Sequence, residues 1–508
     1  MKHKKMWTVM TTVAIATSVT ACGGSPAPAP SAGDAANKPA ETKAADPNKP
    51  KPQLRQLMQY NRFDPNTDIV GKYLKEKTGY EVKYDMLPVE NAEEKLNLLM
   101  ANKEPYDFMK LSANQFSKLS TAGALEPLDD LLAKYGVNLK EAITEASWNG
   151  AKLNGKIYAI PEGGAGVSTG TALIYRQDWL DELGLKPPTT RDELYTVLKT
   201  VKEKKNVTPL TGGKDPFQAE IASTFGWKYG PTTYWKEADG QIMHYVDDPT
   251  TKEYLAFMKK LYTEGLIDAE WAINQSNKLL EKFTSGKAFM YRSGWFDAAN
   301  VNSALTKNFP NGKVGVLPYL KGNDGKPSQV GTGGITWFIA IPKWAPNKEE
   351  AMKYLDLKME KDIFKGNAIG QEGVHHEVKD GKYYPILPKF NDEWNFGSDY
   401  LTGTDEKNYP IYWQARVRKN EFVQKAYELY QENAKGIMYS DALMLAPPIP
   451  DVSKNLQKLQ KLAEDTFIKY ITGAESLDNY DKFVAQWKSE GGNDMIKAAN
   501  DWYKASKK

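Results

Sequence analysis

Between residues 53 and 123 the hydrophobic pattern switches period repeatedly, and that alternation limits the folds open to the chain. "YEVKYDML" sets Tyr80, Val82, Tyr84 and Met86 against Glu81, Lys83 and Asp85, the period of two that marks a strand. "QLRQLMQY" and "PYDFMKL" read as two more strands. "IVGKYLKEKTG" is a helix with Ile69, Val70, Tyr73 and Leu74 on one face and Gly79 as its stop. "NAEEKLNLLMANKE" is a second helix, and "SANQFSKLSTAG" a third, opening at Ser112, a good N-cap. Strands that alternate with helices build a layered α/β domain on a mainly parallel sheet. Ligands of such sheets lie beyond the carboxyl ends of the strands. The loops at 61–68 and 111–114 are therefore candidate sites, with Arg62, Phe63 and Ser112 as candidate contacts.

Further along, "TTRDELYTVLKTVKEKK" joins a Thr190–Glu193 capping box to a stripe of Leu194, Val197, Leu198 and Val201. "DPTTKEYLAFMKKLYTEG" repeats the plan, with Pro249 in the first turn and Gly265 as terminator. "KAFMYR" and "GITWFIAIPK" are strands. From Val452 the chain is mostly helical, with Leu456, Leu459, Ala463, Phe467 and Ile471 as its buried face. Lys and Arg number 67 against 64 Asp and Glu, so no charge surplus drives nucleic-acid binding, and no basic stripe is present. Thirteen Trp and 28 Tyr supply flat rings suited to sugar faces as well as to a core.

The amino terminus has its own logic. Lys2, Lys4 and Lys5 precede an uncharged, largely apolar stretch from Met6 to Ala21. That is short of the roughly 20 residues a membrane span needs, and it fits a secretory signal peptide over 1–21. "VTAC" resembles the lipobox of bacterial lipoproteins, which marks Cys22, the only cysteine, for lipidation. From Gly23 to Pro52 there are seven prolines, no aromatic residue and no Val, Ile, Leu or Met. Such a segment cannot bury enough apolar area to order itself, so 22–52 is expected to be a disordered tether.

Several catalytic patterns fail on context. "GVSTG" matches G-x-S-x-G, but a strand follows Ser168 where a nucleophile elbow needs a helix. "HHEVKD" has Asp380 where a zinc H-E-x-x-H needs its second His, and His375 and His376 are expected on a loop or at the surface. "DPNTD" starts like a calcium loop but places Ile69 and Lys75 where Gly and Glu belong. No phosphate-binding G-x-x-x-x-G-K-[ST] occurs. No catalytic residue, metal or cofactor is expected.

Four stretches carry a resemblance. "NGKIYAIP" (Asn154–Pro161) is similar to a G-K-x-Y-A-x-P segment, and "LIYRQDWLDELGLKPPTTRDEL" to a YR-x-DW-L segment. "FTSGKAFMYRSGWF" (Phe283–Phe296) resembles F-x-x-GKAAM-x-x-x-GW, with Phe289 for the second Ala. The strand and helix within "VGVLPYLKGNDGKPSQVGTGGITWFIAIPKWAPNKEEAMKYLD" complete the series. In this order they resemble the extracellular solute-binding protein family 1 of bacterial ABC importers, whose members mostly carry sugars.

The resemblance implies a periplasmic-binding-protein-like α/β fold, with two α/β lobes joined by a hinge and a ligand cleft between them. Crossings are expected near Pro161–Ser168 and Asn323–Gly333, with a further return after Gly370. The N-terminal lobe is then 53–163 with 331–370, and the C-terminal lobe 164–330 with 371–508. Trp295 matches the cleft-lining "GW" position, with Phe296 and Asp297 beside it. Trp227 and Tyr229 are expected on the other wall, Glu162 at the first crossing, and Trp337 in either cleft or core; Trp413 is a weaker candidate. The expected role is a lipid-anchored monomer on the outer face of the cell membrane. It would capture an oligosaccharide and dock on membrane permease subunits, with no nucleic-acid partner. A surface polysaccharide-degrading enzyme and a peptide or small-molecule binder or sensor are the alternatives.

Overall fold

The structure, a computed structural model, describes residues 50–506 apart from 214–217 and 230–233. Cys22, the leader and nearly all of the tether lie outside the described residues. Two sheets carry the fold. Their strands, in chain order, are β1 (Leu54–Met58), β2 (Val82–Met86), β3 (Phe108–Leu111), β4 (Ile160–Ser168), β5 (Thr171–Arg176), β6 (Thr208–Leu210), β7 (Ala288–Gly294) and β8 (Val314–Val316). A short β9 (Gln329–Val330), the long β10 (Thr332–Ala340) and a short β11 (Met438–Tyr439) follow.

In the first sheet the order is β2-β1-β3-β10-β4. β1 pairs in parallel with β2 and β3, while β10 runs antiparallel to both β3 and β4. Both faces are covered, and the alternation of β2 fits its place at the sheet edge. Leu54, Phe108, Ile160 and Ile339 form one face with Leu132, Tyr354 and Leu355. Leu57, Met109, Leu111 and Phe338 form the other with Leu96, Phe116 and Leu119. Helices α1 (Ile69–Thr78), α2 (Ala92–Ala101) and α3 (Ala113–Thr121) connect the strands as the periodicity predicts, with Val70 and Leu74 buried but Ile69 exposed.

The second sheet, β8-β5-β7-β6, is mixed rather than mainly parallel: β5 runs against both β7 and β8, and only β7 and β6 are parallel. Helix α4 (Arg191–Lys205) makes half of the predicted capping box. Thr190 Oγ1 accepts from Glu193 N at 3.3 Å, but the Glu193 carboxylate is taken by the amide and hydroxyl of Thr189. Helix α5 (Pro249–Thr263) buries Tyr254, Leu255, Met258 and Leu261. The carboxyl-terminal helices close the same core through Leu459, Ala463, Phe467 and Ile471.

Between the sheets runs a two-stranded ribbon. β3 ends at Leu111, opposite Phe338, so the part of β10 before Phe338 has only β4 beside it. This ribbon extends to the Thr332–Ser168 pair and slips register twice, between Gly333 and Gly334 and between Ile335 and Trp337. Gly163 and Gly333 are required as glycine. A Cβ on Gly163 (φ +121°) would lie 2.2 Å from the Gly334 carbonyl oxygen, and one on Gly333 2.3 Å from that of Gly166. The chain enters the second sheet over residues 168–171 and leaves it ahead of Thr332. β9 pairs in parallel with β11 next to this point.

The return after Gly370 needs correction. Gly370 does end a helix in a positive-φ conformation (φ +76°), but the chain then turns back into a hairpin, His376–Lys379 with Lys382–Pro385, and stays with the first sheet. Leu401 packs with Leu54 and Ile160, and the Tyr400 hydroxyl donates to the Pro65 carbonyl at 3.0 Å. Only after helix α6 (Tyr409–Val417) does helix α7 (Glu421–Ala434) join the second sheet, through Tyr430 and Ala434. His375 and His376, expected on a loop or at the surface, are both buried in this folded-back segment. His375 Nε2 lies 3.0 Å from Glu393 Oε2, and His376 Nδ1 3.1 Å from the Ile369 carbonyl.

Candidate functional site

Topology fixes where a ligand can sit. The ribbon leaves the first sheet at the carboxyl ends of β1 and β3 and meets the second at the carboxyl end of β7, which lies beside the start of β5. Those two ends face the crossings, and most of the expected residues cluster there.

At the first-sheet end, Glu162 and Trp337 are register partners across the ribbon. Glu162 is buried, and its Oε1 accepts from Lys110 Nζ at 2.8 Å. That ammonium also donates to the carbonyls of Leu401 and Asp399, and it sits 5.8 Å from the centre of the half-buried Trp337 ring. Glu162 Oε2 has no hydrogen-bond partner. Burial pushes the Glu162 carboxyl up to about 7 despite the Lys110 charge. It also pushes the nearby Lys358 ammonium down to about 7, with Lys110 adding to the fall. Arg62 is exposed on the rim. Phe63 stacks on Phe396 with centroids 4.4 Å apart, so one face of its ring is already covered. Ser112 is a helix cap: its Oγ accepts from Gln115 N, and the Gln115 side chain accepts from Ser112 N.

The second-sheet end carries Trp295, Phe296 and Asp297 directly after β7. Trp295 packs edge to face on Phe296 and on Tyr427 of α7, at 5.4 and 5.1 Å. Phe296 is 57% exposed, so much of its ring is open to solvent. Partial burial raises the Asp297 carboxyl. Deeper in, Arg292 Nε donates to Glu220 Oε1 at 3.1 Å and to Thr171 Oγ1 at 3.0 Å. Gln329 Nε2 donates to Thr169 Oγ1 at 3.1 Å. Glu220 Oε2 and Gln329 Oε1 are buried without partners.

Trp227 and Tyr229 are not a cleft wall. Both are fully buried in the second-sheet core. Trp227 stacks on Tyr254 at 4.9 Å and donates its indole N–H to Thr251 Oγ1 at 2.6 Å. Local sequence does not record the direction in which these two rings turn. Trp413 is half-buried on α6, 5.9 Å from Tyr409. Lys110, Glu220 and Arg292 escaped sequence reasoning. Their signal was a lone charge inside a largely apolar run, in "FMKL", "QAEIA" and "FMYRSG". Asp64 and Asp68 of "DPNTD" are used locally: Asp64 accepts from Asn66 N and Asp68 caps α1. Among the described residues no cluster of three or more His, Cys, Asp or Glu could hold a metal ion, and no helix is long and apolar enough to cross a membrane.

Two α/β lobes, a glycine-rich ribbon between them and polar and aromatic side chains at the facing ends define a hinged, two-lobed binding protein. The chain belongs to the bacterial extracellular solute-binding proteins, whose family model matches residues 65–357. It is 54% identical over 256 residues to an uncharacterized protein in the butB 5' region of Niallia circulans, covering half of this chain and all of that one. It is 26% identical over 492 residues to the polygalacturonan/rhamnogalacturonan-binding protein YtcQ of Bacillus subtilis, covering 92% and 94% of the two chains. Among solved structures it resembles the S. pneumoniae ABC-transporter substrate-binding protein FusA in complex with kestose, at 18% identity and a TM-score of 0.67, over 90% and 99% of the chains. The fold and family expected from the four sequence stretches are those found.

Proposed function

We propose that this protein is a carbohydrate receptor of an ABC importer: it captures an oligosaccharide between its lobes and delivers it to membrane permease subunits. The observation that carries the reading is the pairing, at the two lobe ends that face the crossings, of accessible aromatic surface with hydrogen-bonding groups. Trp337 stands over Lys110 and Glu162 on one side, and Phe296 beside Asp297 on the other. Flat rings cover the C–H faces of a sugar while carboxylates and amides take its hydroxyls. The names of YtcQ and FusA support the same class of ligand.

In this reading the lobes are 53–168 with 332–417, and 171–330 with 420–506. Ligand touching both stabilises the closed arrangement, and does so only through its preference for closed over open. Cys22 is the lipid attachment point and 23–52 the tether that leaves a monomeric receptor close to the outer membrane face. In this reading the protein binds rather than cleaves, which the binding-protein family and the names of YtcQ and FusA support. A thermal-shift screen of the mature protein against oligosaccharides tests this. Saturable stabilisation without release of reducing sugar is expected. No stabilisation by any glycan, or stabilisation accompanied by hydrolysis, overturns the proposal.

A further inference from the structure

Each lobe presents the same unusual arrangement at its hinge-facing end. In the first, the Lys110 ammonium holds Oε1 of buried Glu162 and leaves Oε2 without a donor. In the second, the Arg292 guanidinium holds Oε1 of buried Glu220 and leaves that Oε2 without a donor. Side-chain exposure is 5% and 10% for the first pair, 18% and 2% for the second. Gln329, tied to Thr169 at the crossing, adds a third buried acceptor oxygen with no partner. A buried acceptor without a donor is costly, and a bound group that supplies donors relieves the cost.

Resting on the carbohydrate reading above, we infer that the cleft selects a neutral, hydroxyl-rich oligosaccharide and discriminates against uronic-acid sugars. Above pH 7, where Glu162 is ionised, the unfilled groups are acceptors, so the ligand must bring O–H donors, and every sugar hydroxyl is one. A uronate carboxylate brings only acceptors. It would need an uncompensated cation, whereas Lys110 and Arg292 are each paired with a carboxylate of their own lobe, and buried Lys358 is held on the Tyr400 carbonyl and pushed by burial towards its neutral form. Arg62 is the remaining expected cation, but it is exposed on the rim, where water and salt screen it. Placing a carboxylate beside Glu162 or Glu220 sets like charges together in a poorly solvated site, which is the repulsive half of specificity.

The test is isothermal titration calorimetry of the full mature chain. The probes are trigalacturonate and a panel of neutral fructo-, xylo-, arabino-, galacto- and manno-oligosaccharides, in low and high salt. At least one neutral sugar should bind, with trigalacturonate at least about 100-fold weaker, a factor worth two decades of affinity. Trigalacturonate binding as tightly as the best neutral sugar overturns the inference while leaving the carbohydrate reading intact. Silence from every glycan instead overturns that reading, and the inference falls with it. Glu220→Gln, which removes the carboxylate charge that Arg292 Nε donates to, should raise the ratio of trigalacturonate to neutral-sugar affinity at least about tenfold. An unchanged ratio in a folded variant counts against the inference, and if the variant does not fold the wild-type ratio alone decides.

Discussion

Phe296 and Trp227 are aromatic residues of one lobe with opposite exposures, and they should separate binding from stability. Trp227→Ala empties a closed core site and breaks the bond to Thr251, so it should cost about 3–5 kcal/mol in urea denaturation. Phe296→Ala removes a ring that is mostly in solvent. It should leave the melting temperature unchanged while glycan affinity falls about tenfold in calorimetry. His244 offers a pH test. Burial, with its ring stacked on Trp487 at 4.6 Å, drives its pKa from 6.5 down to about 3. The folded state therefore carries a neutral ring where the unfolded chain binds a proton, and stability is lost as pH falls from 6.5 towards 3. The slope is at most about 1.4 kcal/mol per pH unit. His244→Phe should flatten that limb of the denaturation profile. Glu162 acts in the other direction: its folded pKa of about 7 lies above the ordinary 4.5, so its contribution is lost as pH rises through that window. Glu162→Gln should remove this fall, read from melting temperatures at pH 5 and 7.5.

Among the elements, helices with caps and single-face stripes were legible because local chemistry decides them. Ser112 opens α3 as its sequence indicates, and Ser112→Ala should cost about 1 kcal/mol through lost capping, measured by denaturation. Sugar affinity should stay within about twofold, because the hydroxyl is committed to the helix amide. The ribbon β4–β10 was only half legible. "EGGAG" and "GTGG" announce backbone freedom, but the register slips and the close approach of Gly163 to Gly334 depend on pairing across some 170 residues. Gly163→Ala forces a side chain into a positive-φ site and onto a carbonyl, at about 1–3 kcal/mol. A lower melting temperature and weakened ligand binding together are the expected outcome. Gly370 shows the limit of the same cue: a positive-φ glycine marks a turn, and only tertiary packing says whether the chain then changes lobe.

At the scale of the molecule, the two-lobed fold was readable from strand–helix alternation and from ordered motifs, whereas the polar interior of the site was not. Lys110, Glu162, Glu220 and Arg292 come from segments far apart in sequence, and the side chain each charge meets emerges only when both sheets are built. The misplaced segment 371–417 has the same origin: nothing local to it records that Tyr400 reaches Pro65 or that Leu401 joins the first core. What the whole molecule does with its hinge is the claim on which the rest depends. Small-angle scattering of the mature protein, titrated with the glycan that stabilises it most, tests it directly. The account predicts a radius of gyration that falls saturably, with the same midpoint as calorimetric binding. A ligand that binds at full occupancy while the scattering profile stays unchanged would contradict it.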